Sequence, residues 1–243
     1  MTPAMLVTMS GSPAPASSEH RLVVALDGPA SSGKSSVGAA AAARLGFRVL
    51  DTGVLYRAVT AAALREGAPL DDGAALVALA GRVRVADDGT GRLSRVLLDG
   101  VDATDAIRTD AVDRAVSAVA SVPEVRSALL DRQRAMAADG GIVVVGRDIG
   151  TVVLPEAPVK IFLDASVEAR AARRIAERGL DPAGEEAELV REQLRARDHR
   201  DSTRPVAPLL AAGDAIHIAN EGSFEEAVQA VVAAIETAQR EVA

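Results

Sequence analysis

Arg21-Leu-Val-Val-Ala-Leu-Asp27 is a short, nearly unbroken apolar run that passes directly into Gly28-Pro-Ala-Ser-Ser-Gly-Lys34-Ser35, and an Ala-rich stretch follows to about residue 45. The run reads as a strand buried on both faces, the Ala-rich stretch as a helix. Between them lies the pattern G-x-x-x-x-G-K-[ST], in the setting (strand before, helix after) that gives it physical meaning. Glycines let the main chain wrap closely, so that consecutive N–H groups point at phosphate oxygens. The helix N-terminus adds roughly half a positive charge. In such a loop Lys34 spans the β and γ phosphates of a nucleoside triphosphate, and the Ser35 hydroxyl holds Mg²⁺. The loop is expected to face solvent.

Outward from this segment the pattern alternates. Phe47-Arg-Val-Leu-Asp51, Ile142-Val-Val-Val145, Val159-Lys-Ile-Phe-Leu163 and Ala215-Ile-His-Ile-Ala219 read as further strands. Helical patterns cover about 54–66, 72–80, 110–120, 124–138 and 167–200, and Ser223-Phe-Glu-Glu226 is a capping box opening a C-terminal helix. The spacing predicts an α/β fold: a parallel five-stranded sheet with helices on both faces. Val83-Arg-Val-Ala, a turn at Asp88-Gly89 and Leu93-Ser-Arg-Val-Leu-Leu98 break the rhythm and predict a small antiparallel hairpin. The segment 82–138 is expected to be an insertion into a single domain spanning 21–243. Residues 1–20, rich in Ser, Pro, Ala and Thr without periodicity, read as a disordered tail.

Composition removes whole classes of function. There is no Cys, which excludes disulfides, thiolate metal sites and a cysteine nucleophile. The three His (His20, His199, His217) are scattered, so any metal should be a hard cation held by oxygen. A net charge of −7 and only four aromatic residues argue against nucleic acid or an anionic membrane as partner. No secretory signal or stretch of 18 apolar residues occurs, so a cytoplasmic protein is expected. Of 27 basic residues only Lys34 and Lys160 are lysines.

Three further clusters carry polar chemistry. Asp51-Thr-Gly-Val-Leu-Tyr-Arg57 and Gly146-Arg147-Asp148 each follow a strand, at the edge where ligands of such sheets collect. Left to themselves they would read as a capped helix start and a solvated loop. Arg195-Ala-Arg197-Asp198-His-Arg200-Asp201-Ser-Thr-Arg204 packs four Arg and two Asp into ten residues. Residues 197, 200, 201 and 204 fall at i, i+3, i+4 and i+7, which would place them on one helical face. An ion-paired surface is the ordinary explanation. Beside a triphosphate site, arginine forks instead suggest charge stabilisation of a transferring phosphoryl group.

The phosphate loop, the block 51–57, Gly146-Arg-Asp-Ile-Gly-Thr-Val-Val-Leu-Pro155, Ala157-Pro-Val-Lys-Ile-Phe-Leu-Asp-Ala-Ser166 and Arg197-Asp-His-Arg-Asp-Ser-Thr-Arg-Pro-Val-Ala-Pro208 together resemble the bacterial cytidylate kinase family of nucleoside monophosphate kinases. The resemblance runs from about Leu22 to Ala234. It implies ATP on Gly28, Pro29, Ala30, Ser31, Ser32, Gly33, Lys34, Ser35 and Ser36, with Mg²⁺ carried as Mg-ATP. It implies that Arg57, Arg126, Arg147 and Arg204 contact the phosphate or base of CMP or dCMP, and that Ser117 and Asp148 help read cytosine. Arg197 and Asp201 would touch ribose or the transferring phosphate from a mobile helical lid at about 183–206, while 82–138 would bind the monophosphate. Lys34, Arg147, Arg197 and Arg204 are then the catalytic set, acting in a monomer. Thr52 stands where the family often has Ser and retains the phosphate-binding hydroxyl; Ser202-Thr203 stands where a relative carries another Arg.

Two other readings fit the phosphate loop alone. A nucleotide switch predicts an Asn-Lys-x-Asp segment, and both lysines lie elsewhere. A kinase acting on a metabolite hydroxyl predicts a carboxylate base, with Asp51 and Asp148 as candidates. A phosphate monoester needs no such base, because with a second pKa of about 6 it is mostly dianionic at neutral pH.

Overall fold

The computed structural model describes residues 22–242; the tail expected at 1–20 lies outside the described residues. The chain runs β1 (Val23–Asp27), α1 (Lys34–Leu45), β2 (Arg48–Asp51), α2 (Gly53–Glu66), α3 (Gly73–Arg82), β3 (Val83–Asp87), β4 (Arg92–Leu98) and β5 (Val101–Asp102). It continues through α4 (Asp110–Val119), α5 (Pro123–Ala137), β6 (Ile142–Gly146), β7 (Val159–Asp164), α6 (Val167–Glu177), α7 (Glu185–Thr203), β8 (Ile216–Ala219) and α8 (Phe224–Val242). Strands β2, β6, β1, β7 and β8 lie side by side and parallel, the five-stranded core expected from the apolar runs.

Strand alternation sorts the core. Val24, Leu26, Val143, Val145, Ile161 and Leu163 pack towards α1 and α8 on one face. Ala25, Leu50, Ile142 and Val144 pack on the other against Ala137, Ile149 and Val153. Every residue of β6 is buried, which is why its sequence shows no polar alternation. A separate core is built by α2, α3, the hairpin, α4 and α5, centred on Leu55, Leu76, Val96 and Leu129, so that helices before residue 82 pack with the 82–138 segment. A small cluster joins α6 and α7 to the phosphate loop through Ala30, Ile175 and Leu194.

The sheet has eight strands rather than five, because the hairpin does not stand apart. Its strand β4 pairs in parallel with β2 through Val49–Arg92 and Leu50–Leu93, while β3 and β5 pair antiparallel with β4. The pairing caps a buried parallel edge that would otherwise offer unpaired N–H and C=O groups. The helical region expected over 167–200 is two helices, broken at Gly179, which takes the left-handed φ of 64° that glycine tolerates. Residues Ile149–Val153 form one π-helical turn that periodicity did not signal. The capping box is present: Ser223 N donates to Glu226 Oε2 at 2.8 Å, and Glu226 N to Ser223 Oγ at 3.2 Å.

Gly28 marks where β1 must pass close to β7. A Cβ there would lie 2.1 Å from the Leu163 carbonyl oxygen, so the two backbones would have to part. Gly28→Ala is expected to lower Tm by about 3–10 °C through overpacking and to abolish the stabilisation that added ATP gives. Thermal unfolding with and without ATP measures both.

Candidate active site

Parallel register brings three loops together. Asp27 pairs with Gly146 and Asp51 with Val145, so the segments following β1, β2 and β6 emerge side by side at one edge of the sheet. The phosphate loop occupies the first. Ser31 holds a φ of 58° and Gly33 one of 89°, left-handed turns that curl the loop before α1 begins at Lys34. Contrary to a solvent-facing loop, Lys34 is 5% exposed, and its Nζ donates to the Pro29 carbonyl at 2.8 Å. Burial pushes the Lys34 ammonium well below its ordinary pKa, and Arg147 and Arg197 push the same way against Asp51 and Asp201. An incoming polyphosphate would reverse that imbalance.

Ser35 Oγ donates to Asp51 Oδ2 at 2.5 Å, and Asp51 Oδ1 accepts from Gly53 N at 2.9 Å. Among the described residues no cluster of three or more His, Cys, Asp or Glu could hold a metal. The chain thus offers a cation one hydroxyl and one carboxylate, both hard oxygen donors. That set suits Mg²⁺, which keeps several waters and takes the rest of its ligands from phosphates.

Beside the loop lies a small, open cavity of about 70 Å³. Its walls include Thr52, Ser117, Arg126, Arg147, Asp148, Arg197, Asp201 and Arg204, and Val116 and Ala120 give it an apolar side. Residues up to 153 positions apart in the chain are therefore neighbours here. The charged groups are paired in a fixed pattern. Arg126 grips Asp148 Oδ2 and donates to the Ala120 carbonyl at 3.2 Å, while its guanidinium lies over the Tyr56 ring, 5.6 Å from the centroid. Arg204 Nη2 reaches Asp148 Oδ1 at 3.2 Å, and Arg147 Nε reaches Asp201 Oδ2 at 3.0 Å. Burial pushes the Asp148 carboxyl up against the opposing pull of Arg126, Arg204 and Arg147.

Four arginines and three aspartates (Asp51 included) line this cavity, an excess of positive charge suited to an anion. Arg197 carries the imbalance most visibly. Its Nε is buried without a partner, and burial together with Arg147 lowers its guanidinium to about 10.

Three sequence expectations are modified. Helix α7 ends at Thr203, and Arg204 follows in extended backbone (φ −61°, ψ 140°), so it reaches Asp148 from beyond the helix rather than along its face. Arg200 on that helix is exposed. Thr52 lines the cavity, but its hydroxyl donates to the Val145 carbonyl at 3.0 Å, leaving only lone pairs for a ligand. Arg57 lines the neighbouring cavity with Ser35, Ser36 and Asp51 and is ion-paired with Asp113. Asp113 also pairs with Arg174 at 2.7 Å, and burial of Arg170 against Asp198 and the Ala30 carbonyl anchors α6 to the phosphate loop. Sequence reasoning missed Asp113, Arg170, Arg174 and also Asn220, whose Nδ2 donates to the Ser32 carbonyl at 2.8 Å. The spacing of Arg170, Arg173 and Arg174 on one helix is the one signal that could have marked them; their partners are too distant in the chain to pair by inspection.

Burying Arg197 with an unpaired Nε costs stability, since desolvation is not repaid. Arg197→Met, similar in length and without charge, is expected to raise Tm by a few degrees in the absence of nucleotide. Calorimetric unfolding of both proteins checks it.

The family model described as cytidylate kinase matches residues 24–237. The cytidylate kinase of Mycobacterium avium (strain 104) is 52% identical over 196 residues, covering 80% of this chain and 86% of its own. That of Rhodococcus jostii (strain RHA1) is 50% identical over 202 residues, 82% of this chain and 87% of its own. That of Pelotomaculum thermopropionicum is 46% identical over 224 residues, 90% of this chain and 97% of its own. With its phosphate loop, its arginine-lined cavity and relatives matched over most of their length, this chain belongs to the cytidylate kinase family.

Proposed function

We propose that the protein transfers the γ-phosphoryl group of ATP to CMP or dCMP, giving ADP and CDP or dCDP. The observation that carries this reading is the cavity: four arginines and an apolar wall, one loop away from a phosphate-binding lysine. A phosphate monoester is already nucleophilic, so the site needs alignment and charge neutralisation rather than a base. The two candidate bases for a hydroxyl acceptor are both engaged, Asp51 by Ser35 and the Gly53 N–H, Asp148 by Arg126 and Arg204. That favours the monophosphate acceptor over a metabolite alcohol.

In this reading Gly28–Ser36 cradle the ATP phosphates, and Lys34 straddles the bond that breaks. Ser35 and Asp51 would hold Mg²⁺, which when bound neutralises charge on the β and γ oxygens. Arg147, Arg197 and Arg204 face the equatorial oxygens of the transferring group, where charge spreads in the transition state. Arg57, freed from Asp113, and Thr52 serve the acceptor phosphate. Residues 82–138 form the monophosphate-binding region, and α7 with the residues to about 206 forms a lid whose closure excludes water. A single copy contains every residue assigned to the site, which fits a monomer working in the cytoplasm on the free nucleotide pool.

ADP formation from ATP with CMP, dCMP, UMP, AMP, GMP and a shikimate-like alcohol tests the reading. CMP and dCMP should be good substrates, UMP poor and the rest inactive; comparable turnover of the alcohol overturns it. Lys34→Ala should cut kcat by about 10³-fold with Tm maintained, since a desolvated charge is removed together with its function.

Cytosine presents an amino donor at N4 and an acceptor at N3, and uracil reverses both. Asp148 accepts only, when ionised, while Ser117 and Arg126 donate. Each wrong base therefore leaves buried polar groups unpaired at about 1–3 kcal/mol apiece, enough for roughly hundredfold discrimination. Asp148→Asn should narrow the CMP to UMP ratio of kcat/KM, because an amide can turn its NH₂ towards O4. An unchanged ratio removes Asp148 from base reading.

A further inference from the structure

Asp27 ends β1, immediately before the phosphate loop, and is 4% exposed. Neither oxygen faces a cationic side chain at hydrogen-bonding distance. Oδ1 accepts from the main-chain N–H of Ile149 and Oδ2 from that of Gly150, each at 2.8 Å. These two amides open the π-helical turn that directly follows Arg147 and Asp148. The turn has no side-chain cap of its own at Asp148, so the Asp27 carboxylate satisfies N–H groups that would otherwise lack acceptors. Gly146 and Gly150 leave little room for the segment to settle elsewhere. A Cβ at Gly146 would lie 2.5 Å from Ile149 Cδ1, and one at Gly150 would lie 3.2 Å from Lys160 Cδ and 3.5 Å from Asp27 Oδ2.

The arrangement is retained at a cost. Burial raises the Asp27 carboxyl to about 6, the amide hydrogen bonds pulling it down and Asp148 pushing it up, with Lys34 pulling weakly down. A group raised in this way gives the fold its full contribution below its ordinary value near 3.8 and loses it as pH rises through about 6. At neutral pH the fold therefore carries a buried charge that an uncharged residue would avoid. Such costs concentrate where function requires a geometry.

We propose that Asp27 is a positioning residue for the pyrimidine site: its carboxylate clamps the 146–153 segment to the root of the phosphate loop, fixing Arg147 and Asp148 relative to Lys34. The proposal deepens the reading of Asp148 as a base reader and of Arg147 as a phosphate ligand, and rests on it. Asp27 touches neither nucleotide and acts through the register of the two loops. A misplacement of a few tenths of an ångström would be felt by the acceptor side of the site, where Asp148 must meet the base edge, and far less by the ATP side, held by the loop's own backbone.

The test is Asp27→Asn, isosteric and uncharged. Its single carbonyl oxygen can accept from one of the two N–H groups, and its NH₂ confronts the other. Losing an acceptor and losing a buried charge act in opposite directions on stability, so Tm at pH 7.5 should stay close to that of the wild type. The KM for CMP should rise about tenfold and the CMP to UMP ratio of kcat/KM should fall, with the KM for ATP changed less than about twofold. Equal losses on both substrates with an unchanged ratio would mean a merely structural role and overturn the proposal. Asp148→Asn in the same assay separates the two levels. If it alone narrows the ratio, Asp27 is refuted and the reading of Asp148 stands; if neither variant does, both fall.

Should Asp27→Asn fail to fold, the wild-type protein still decides. The groups facing the Asp27 carboxylate are Asp148 and Lys34, with the aliphatic stem of Lys160 beyond Gly150 and its ammonium held away by Asp214. In nucleotide-free protein the amide resonances of Ile149 and Gly150 should titrate with a midpoint near 6. Those of Arg147 and Asp148 should follow with the same midpoint. If 149 and 150 respond while 147 and 148 do not, the contact is local and positions nothing.

Discussion

The register between β1, β6 and β2 is the constraint on which the site depends. It sets Asp27 against Gly146 and Val145 against Asp51, so that three loops far apart in sequence leave the sheet within reach of one another. One residue of slip would turn each strand's apolar set to the wrong face, a change the fully buried β6 cannot accept. The hydrophobic core thereby fixes the polar chemistry. Valines and leucines buried in the core hold Lys34, Asp51 and Asp148 in place.

That chemistry is built from groups that are poorly solvated. Lys34 and Arg126 are nearly inaccessible, Arg197 has an unpartnered Nε, and Asp27 and Asp148 are carboxylates pushed up by burial. An apolar replacement would often be at least as stable, since desolvation offsets much of the attraction within a buried ion pair. What the arrangement provides is a set of charged groups held in fixed mutual positions by their ion pairs, the kind of preorganisation that electrostatic stabilisation of a developing charge requires. The pairs Arg147–Asp201 and Arg204–Asp148 also tie α7 and the residue after it to the strand-end loop. A displacement of α7 is in this way mechanically linked to Arg147 and Asp148.

Much of this was legible from spacing. The strand, glycine-rich loop and helix declare the phosphate site because each step has a local cause: apolar runs, left-handed turns at Gly33, a helix N-terminus at Lys34. Seven of the eight strands had readable signals, and β5 is too short to show one. The hairpin was legible as a hairpin, but its seam with β2 was not, because two paired residues on a sheet edge leave no periodic trace. The face expected to carry Arg197 through Arg204 ended one residue early, where the backbone leaves the helix before Pro205. Thr52 looked like a free donor, and its proton goes to a carbonyl 93 residues away in sequence.

The sequence by itself determined the class of chemistry. A glycine-rich loop with one of only two lysines, the absence of Cys and the arginine-dense blocks leave phosphoryl transfer with oxygen-held metal as the coherent reading, since these depend on residue type and short spacing alone. Only the tertiary structure decided which charges confront which. Arg126 and Arg204 meet on Asp148, Arg57 is held by Asp113 beside Arg174, and Asp27 reaches across the sheet to two main-chain amides. Pairings of that kind are set by sheet register and helix packing over separations of 22 to 123 residues, and no local periodicity encodes them.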